Sequence, residues 1–310
     1  MEYSIILQNL LIILAMIAVG FVAGKVHLIP HRASADFTTL LMQVALPCMI
    51  FMSMQRPFEM AMLRDSVTAL GLCFVLVLLF LGGSCLLSGK LGMERICRGT
   101  WSFCVTFGNS GFMGFPLIRA IFGNDGLFVA AVMGIAYLGI EYTICIRMMT
   151  HFSSQAEAES ANWKKILLGN TNIALVLGLF FFVTQLPVPE TVQTVVSSFA
   201  NITTPLSMFL IGLSLSEGKL LSVFRNRNAV SCSAMRLLGV PVITACILRL
   251  LPFTSDLVKG VILLSFAMPC PSLGMIFSQE YGGDVNLASS SIFLSSVCCI
   301  ATIPLVLMLL

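Results

Sequence analysis

The chain alternates long apolar segments with short polar connections from one end to the other. A helix needs roughly 20 mostly apolar residues to cross a bilayer, and ten segments come close to or exceed this length. They cover residues 4–24, 35–55, 66–88, 100–122, 127–149, 169–186, 192–215, 229–251, 258–280 and 286–310. The pattern therefore predicts an all-α integral membrane protein with ten transmembrane helices.

The amino-acid composition agrees with this prediction and excludes a water-soluble domain. Of the 310 residues, 58% are apolar and 10% are charged, whereas an ordinary soluble domain has roughly 25% charged residues. The net charge of only +3 gives no reason to expect nucleic acid as a partner. The lipid bilayer is the expected surrounding.

The basic residues are shared unevenly between alternate connections, which sets the predicted orientation. Eleven lie in odd-numbered connections: Lys25, Arg32, Lys90, Arg95, Arg98, Arg147, Lys164, Lys165, Lys219, Arg225 and Arg227. Five lie on the side of the even-numbered connections, either in them or near the ends of the spans they join: Arg56, Arg64, Arg119, Arg249 and Lys259. Because cytoplasmic loops carry an excess of Lys and Arg, we expect an inner-membrane protein with its odd connections in the cytoplasm and both termini outside.

Prolines recur inside the apolar segments, in the same order and at nearly the same separation in both halves of the chain. Pro47 and Pro116 lie in the first half, and Pro205, Pro269 and Pro271 lie in the second. A proline inside a helix removes a backbone donor and crowds the preceding turn, and hydrocarbon cannot satisfy the carbonyls that this frees. Broken helices at matching places in two halves indicate the binding site of a secondary transporter.

The proline match divides the chain into two repeats of five helices. The predicted domains are a first repeat at residues 1–150, a cytoplasmic linker at 151–168 and a second repeat at 169–310. Because five is odd, the second repeat enters the membrane from the opposite side, so the two repeats are inverted. This arrangement predicts that the broken helices 4 and 9 cross near the midplane of the membrane.

Both predicted breaks place hydrogen-bonding groups or prolines inside an apolar span. The candidate substrate-binding residues there are Asn109, Ser110, Gly111, Pro116, Pro269, Pro271 and Ser272. A half-helix is expected to begin after each break, near Leu117 and near Ser272, with its N-terminus toward the midplane. Unpaired amides and the positive end of the helix dipole favour an anion there. The alternative is a proline kink satisfied by neighbouring hydroxyls, with no ligand.

Two charged residues are predicted to lie deep inside the hydrocarbon, Glu141 in the fifth span and Arg236 in the eighth. At 1.5 Å per residue both are predicted roughly 10–12 Å below the cytoplasmic interface. Because ionisable residues inside a membrane are functional by default, Arg236 is a candidate auxiliary charge for the anion and Glu141 a candidate carrier of a coupling proton. The alternatives are a structural ion pair between the two, or an Arg236 side chain that extends to the interface.

Four motifs stand at the proline positions: GNSGFMGFP (108–116), LPCMIF (46–51), TPLSMFLIGLSL (204–215) and MPCPSLGMIF (268–277). Together they resemble the auxin efflux carrier family, specifically its short bacterial members described as malate or malonate permeases. The resemblance covers the whole chain. It implies an organic-anion substrate and a fold similar to that of bile-acid sodium symporters, with a scaffold of spans 1, 2, 6 and 7 and a mobile core of spans 3–5 and 8–10.

The sequence thus predicts a secondary transporter that moves a small organic anion, expected to be a carboxylate, by alternating access. Proton or sodium coupling and a homodimer through the scaffold helices are left open. The alternatives are a sodium-coupled organic-anion symporter of the bile-acid type and a membrane sensor without transport activity. The spans contain none of the common catalytic or metal motifs, so neither an enzyme nor a cofactor is predicted.

Overall fold

The computed structural model describes residues 3–153, 168–217, 226–252 and 254–308. Within these ranges every regular element is helical and no strand occurs, which confirms the all-α prediction for this part of the chain. The predicted linker at 151–168 lies mostly outside the described residues. So do four of the basic residues used in the orientation argument: Lys164, Lys165, Lys219 and Arg225.

The helices follow the ten predicted segments. In the first half they are α1 (Tyr3–Lys25), α2 (His31–Leu40), α3 (Leu46–Ser53), α4 (Met60–Lys90), α5 (Arg95–Thr106), α6 (Phe115–Ile140) and α7 (Ile146–Phe152). In the second half they are α8 (Asn170–Thr184), α9 (Glu190–Glu217), α10 (Arg227–Ala234), α11 (Val240–Arg249), α12 (Asp256–Phe266), α13 (Leu273–Glu280) and α14 (Val285–Leu307). Short π-helical turns occupy Leu41–Ala45, Ser110–Gly114, Glu141–Cys145 and Met235–Gly239.

Six helical stretches among the described residues are long and apolar enough to cross a membrane: Ala33–Ser53, Met60–Lys90, Arg95–Phe152, Glu190–Ser216, Arg227–Arg249 and Val285–Leu307. Large apolar side chains remain exposed along them. In α4, for example, Val75 is 61% exposed and Leu86 is 71% exposed. Such faces are unfavourable in water and suit a lipid surrounding. The protein is therefore an integral, multi-pass membrane protein.

The stretch Arg95–Phe152 is not one continuous helix. It is interrupted between α5 and the turn Ser110–Gly114, and it bends within α6 at Gly123, whose φ is 68° and ψ is −161°. A positive φ of this kind is readily adopted only by glycine. The bend lies between the segments 100–122 and 127–149 that the sequence predicts as the fourth and fifth spans.

Three of the π-helical turns end two residues before a proline, at Pro47, Pro116 and Pro241. The wider turn lets a helix continue past a residue that lacks an N–H and crowds the turn before it. Pro47 therefore does not interrupt its helix, and Pro205 lies inside the continuous helix α9. Of the prolines that suggested breaks, these two do not produce them.

The chain divides into two compact units, each made from separate stretches of sequence. The first unit comprises Met1–Val67, Phe115–Val132 and Asn162–Glu217. In it, α1 packs closely on α9, because a Cβ at Gly20 would overlap the backbone of Phe209 and a Cβ at Gly212 would overlap that of Ile17. Small residues of this kind let transmembrane helices approach closely.

Side chains of α6 explain why part of that helix belongs to the first unit. The Nη1 atom of Arg119 donates to the Ala200 carbonyl at 2.8 Å. The ring of Phe128 lies 4.8 Å from that of Phe182, which is fully buried. The resemblance to known carriers implied that the whole fourth and fifth spans belong to the mobile core. The structure instead places Phe115–Val132, a part of both spans, in the first unit.

The second unit comprises Thr68–Gly114, Met133–Ala161 and Gly218–Leu310. Helix α5 lies at its centre and packs against α7, α10 and α14. The indole N–H of Trp101 donates to the Ser231 hydroxyl at 3.1 Å, and aromatic rings surround the end of α5, with Phe103 and Phe107 stacked at 5.0 Å. Both predicted breaks lie within this unit.

Candidate functional site

The second unit brings the two interrupted spans together at their breaks. The first break follows Thr106, where Phe107 is extended at φ −94° and ψ 146°. The second separates α12 from α13. The backbone N–H of Asn109 donates to the Pro269 carbonyl at 2.9 Å, so each break satisfies part of the other. We call this meeting point, residues 107–112 and 267–273, the crossover.

The helix after the first break begins earlier than the sequence argument expected. Its π-helical turn starts at Ser110, whereas the expected start was near Leu117. The Asn109 carbonyl accepts from the N–H groups of Met113 and Gly114, at 3.3 and 2.9 Å. Pro116 is then the second residue of α6, where the wider π-helical turn before it accommodates the missing N–H. Asn109 is therefore the residue that starts this helix, and Pro116 is not part of the crossover.

Exposure separates the remaining candidates into two groups. Asn109, Ser110 and Gly111 are half-buried and Ser272 is exposed, whereas Pro269 and Pro271 are buried. The Asn109 amide nitrogen lies 3.5 Å from the Ser272 hydroxyl, at the long limit of a hydrogen bond. The predicted polar residues of the two breaks thus share one accessible face, and the prolines shape the backbone behind it.

Backbone donors at this face are available to a ligand. Within the described residues, the N–H groups of Gly111 and Phe112 are assigned no backbone acceptor, as expected for the first turn of a helix. The helix α13 begins directly after Ser272, so a second helix N-terminus lies at the same crossover. Two positive dipole ends and a side-chain amide make this face suited to an anion.

A serine of the last helix supports the second break. The backbone N–H of Cys270 donates to the Ser295 hydroxyl at 2.9 Å, and Ser295 is fully buried. Helix α14 contains several other serines, among them Ser289, Ser290, Ser291 and Ser296. Their spacing carries no signal that would identify one of them as a partner for a broken backbone.

Arg236 is fully buried and directs its hydrogen bonds to the backbone of both broken spans. Its Nε atom donates to the Met268 carbonyl at 2.8 Å. Its Nη1 atom donates to the carbonyls of Val105 and Thr106, at 3.1 and 2.8 Å, and its Nη2 atom donates to that of Ser265 at 3.3 Å. All four bonds run to the protein backbone. They do not test the predicted role of Arg236 toward an anion, which stays a prediction.

Glu141 is also buried, with 6% of its surface exposed, and it begins the π-helical turn Glu141–Cys145. Among the described residues it forms no ion pair within 4.0 Å, so it does not contact Arg236. Cys73, Tyr142 and Cys145 lie within electrostatic range of its carboxyl group. The structural ion pair that equal depth suggested is therefore absent.

The described residues contain no group of three or more His, Cys, Asp or Glu side chains arranged to hold a metal ion. The chemistry of the crossover is instead that of hydrogen bonds and helix dipoles.

Comparison with known proteins finds similarity to membrane transporters. A family model described as a membrane transport protein matches residues 5–307. The chain is 26% identical over 300 residues to an uncharacterized transporter of Methanothermobacter thermautotrophicus, with 96% of each chain covered. It is also similar to an uncharacterized transporter of Methanocaldococcus jannaschii, at 25% identity over 311 residues, with 95% of this chain and 96% of the relative covered.

Proposed function

The chain belongs to the membrane transport protein family, which is of the auxin efflux carrier type, and from this premise we propose that it is a secondary transporter of a small organic anion. The observation that carries this proposal is the crossover, where two helix N-termini and the amide of Asn109 share one accessible face. A carboxylate fits these donors, because charged oxygens accept from amides and are favoured at helix N-termini. Family membership also weighs against an enzyme.

In the proposed mechanism the crossover faces each side of the membrane in turn. The anion binds at Asn109, Ser110, Gly111 and Ser272, while Pro269 and Pro271 keep the backbone of the second break out of helical form. The full architecture, ten spans in two inverted repeats at 1–150 and 169–310, is part of this proposal. A homodimer through spans 1, 2, 6 and 7 is compatible with it. Counterflow of labelled carboxylates in proteoliposomes tests the proposed activity.

The orientation of the protein in the inner membrane gives one prediction. We propose that both termini are outside, which places the connection containing Leu28 in the cytoplasm and the one containing Leu186 outside; both side chains are exposed. In a background without the exposed Cys246, Leu186→Cys is expected to react with an impermeant thiol reagent applied to intact cells, and Leu28→Cys is expected to react only after lysis. The reverse labelling pattern would overturn the proposed orientation.

Glu141 gives a second prediction, because we propose that its buried carboxyl group carries a coupling proton. If proton entry accompanies the anion, uptake by the unmodified protein rises as the external pH falls. Glu141→Gln cannot gain or lose a proton, so we expect its uptake to be independent of pH while exchange of labelled anion is preserved. Glu94→Gln, at an exposed acidic residue, is the matched control. An unchanged pH profile in Glu141→Gln would exclude this role.

Two other functions remain as alternatives within the family. A sodium-coupled symporter needs several oxygen ligands for the cation, and sodium dependence of uptake distinguishes it. A membrane sensor that has lost transport would bind an anion at the crossover without moving it. Counterflow distinguishes that case, because a sensor binds the labelled compound but does not exchange it across the bilayer.

A further inference from the structure

The four carbonyl groups that Arg236 contacts belong to the C-terminal ends of two helices. Val105 and Thr106 are the last two residues of α5, and Ser265 and Met268 lie at the end of α12 and just beyond it. The last carbonyls of a helix have no partner within that helix, and they carry the negative end of the helix dipole. Two such ends converge here in a membrane protein, and a carbonyl without a partner in the hydrocarbon is strongly unfavourable.

A cation is the natural partner of such a group of oxygens. In secondary transporters with broken helices, unwound carbonyls and the C-terminal ends of half-helices coordinate the coupling sodium ion. In this chain the same kind of oxygen set is held by a guanidinium group, which is always charged and presents five donors in a planar fork. The positive charge that the crossover requires is therefore covalently attached to the protein.

The residues around the guanidinium group leave little space beside it, and none of those described supplies an acidic partner. Arg236 is fully buried. Even a Cβ added to Gly108 would overlap its Nη2 atom. Within the described chain no acidic side chain forms an ion pair with it. Its charge is thus balanced by the two helix ends and not by a carboxylate, as a bound sodium ion would be at the same position.

We propose that Arg236 is a positioning residue that takes the place of a coupling cation at the crossover, so that transport by this protein does not require sodium. This inference rests on the proposed function for its transport part only. The structural part stands without it: the two helix ends need a cation, and Arg236 supplies it.

The test begins with the stability of purified protein in detergent and sodium-free buffer. Arg236→Ala removes the cation and leaves four carbonyls unpaired, so we expect the melting temperature to fall by on the order of 10 °C. Millimolar guanidinium, and to a smaller extent sodium, is expected to restore part of that loss in Arg236→Ala. Arg236→Lys is expected to melt between the two. Choline at equal ionic strength is not expected to restore stability.

Arg119→Ala is the matched control, because Arg119 also donates to a backbone carbonyl, that of Ala200, and to the Asn201 side chain. It belongs to the first unit and is not among the residues that contact the ends of α5 and α12, so small cations are not expected to restore whatever stability its removal costs. Equal recovery of both variants would mean that the cation acts on the whole protein, which would contradict the proposal. Absence of any recovery in Arg236→Ala would contradict it as well.

The second arm measures uptake by the unmodified protein in proteoliposomes, with sodium replaced by potassium on both sides. Unchanged uptake supports the proposal, and loss of uptake overturns it even if Arg236→Ala cannot be purified. If no carboxylate is transported in either buffer, the proposed function fails. The rescue of Arg236→Ala by guanidinium then still decides whether Arg236 occupies a cation position.

Discussion

Replacing Gly108 by Ala is expected to destabilise the protein and to abolish its transport activity. The added Cβ would overlap the Nη2 atom of Arg236 and approach Met268 Cβ and the Ser265 carbonyl to 3.0 Å. Overpacking alone costs about 1–3 kcal/mol, and a displaced guanidinium also loses hydrogen bonds that are worth about 1.5–3 kcal/mol each. The measurements are the melting temperature in detergent and uptake at equal amounts of reconstituted protein.

Gly83→Ala is the control for this variant. Gly83 lies in α4 of the same unit, and a Cβ there meets nothing within 4 Å. Alanine is favoured over glycine in a helix by roughly 1 kcal/mol, so the control is expected to be at least as stable as the unmodified protein. A Gly108→Ala protein with the stability and uptake of Gly83→Ala would show that the guanidinium is not held as closely as described.

Replacing Asn109 by Ala is expected to lower uptake while the melting temperature stays nearly unchanged. The backbone bond from Asn109 to Pro269 does not depend on the side chain, and the side chain's described contact, to Ser272 at 3.5 Å, is weak. Its half-buried amide is therefore available to a ligand. A hydrogen bond to a charged group is worth about 1.5–3 kcal/mol, so we expect uptake at low substrate concentration to fall roughly 10- to 100-fold.

Asn286→Ala serves as the control for Asn109→Ala, since Asn286 is an exposed asparagine at the start of α14. We expect it to transport like the unmodified protein. If Asn109→Ala also does so at equal expression, the side chain neither binds the substrate nor controls access to it, and the proposed site must be moved.

The sequence identified the helices and the two breaks in the second unit because these depend on local properties. Apolar length predicted the spans, and the combination of glycine, asparagine and proline near Pro116 and Pro269 predicted the interruptions. The same reasoning treated Pro47 and Pro205 as equivalent. It failed there because a π-helical turn before Pro47, and an ordinary helix around Pro205, accommodate the ring. Whether a helix widens or breaks at a proline depends on tertiary neighbours.

The roles of the two buried charges could not be predicted for a related reason. Equal depth suggested that Glu141 and Arg236 form a pair, but depth does not determine the direction in which a side chain points around its helix. Arg236 points toward the ends of α5 and α12 and bonds to their carbonyls. Backbone carbonyls carry no sequence signature, so a contact between a side chain and a helix end becomes visible only in the folded chain.

The central claim, that the crossover binds and transports an organic anion, is tested most directly by counterflow. Proteoliposomes are loaded with an unlabelled mono- or dicarboxylate and diluted into a trace of the labelled compound. We expect transient accumulation of label for at least one carboxylate, in sodium-free buffer, and a strong reduction of it in Asn109→Ala liposomes. Label that never exceeds the level in protein-free liposomes for any carboxylate, with the reconstituted protein still folded, would contradict the account.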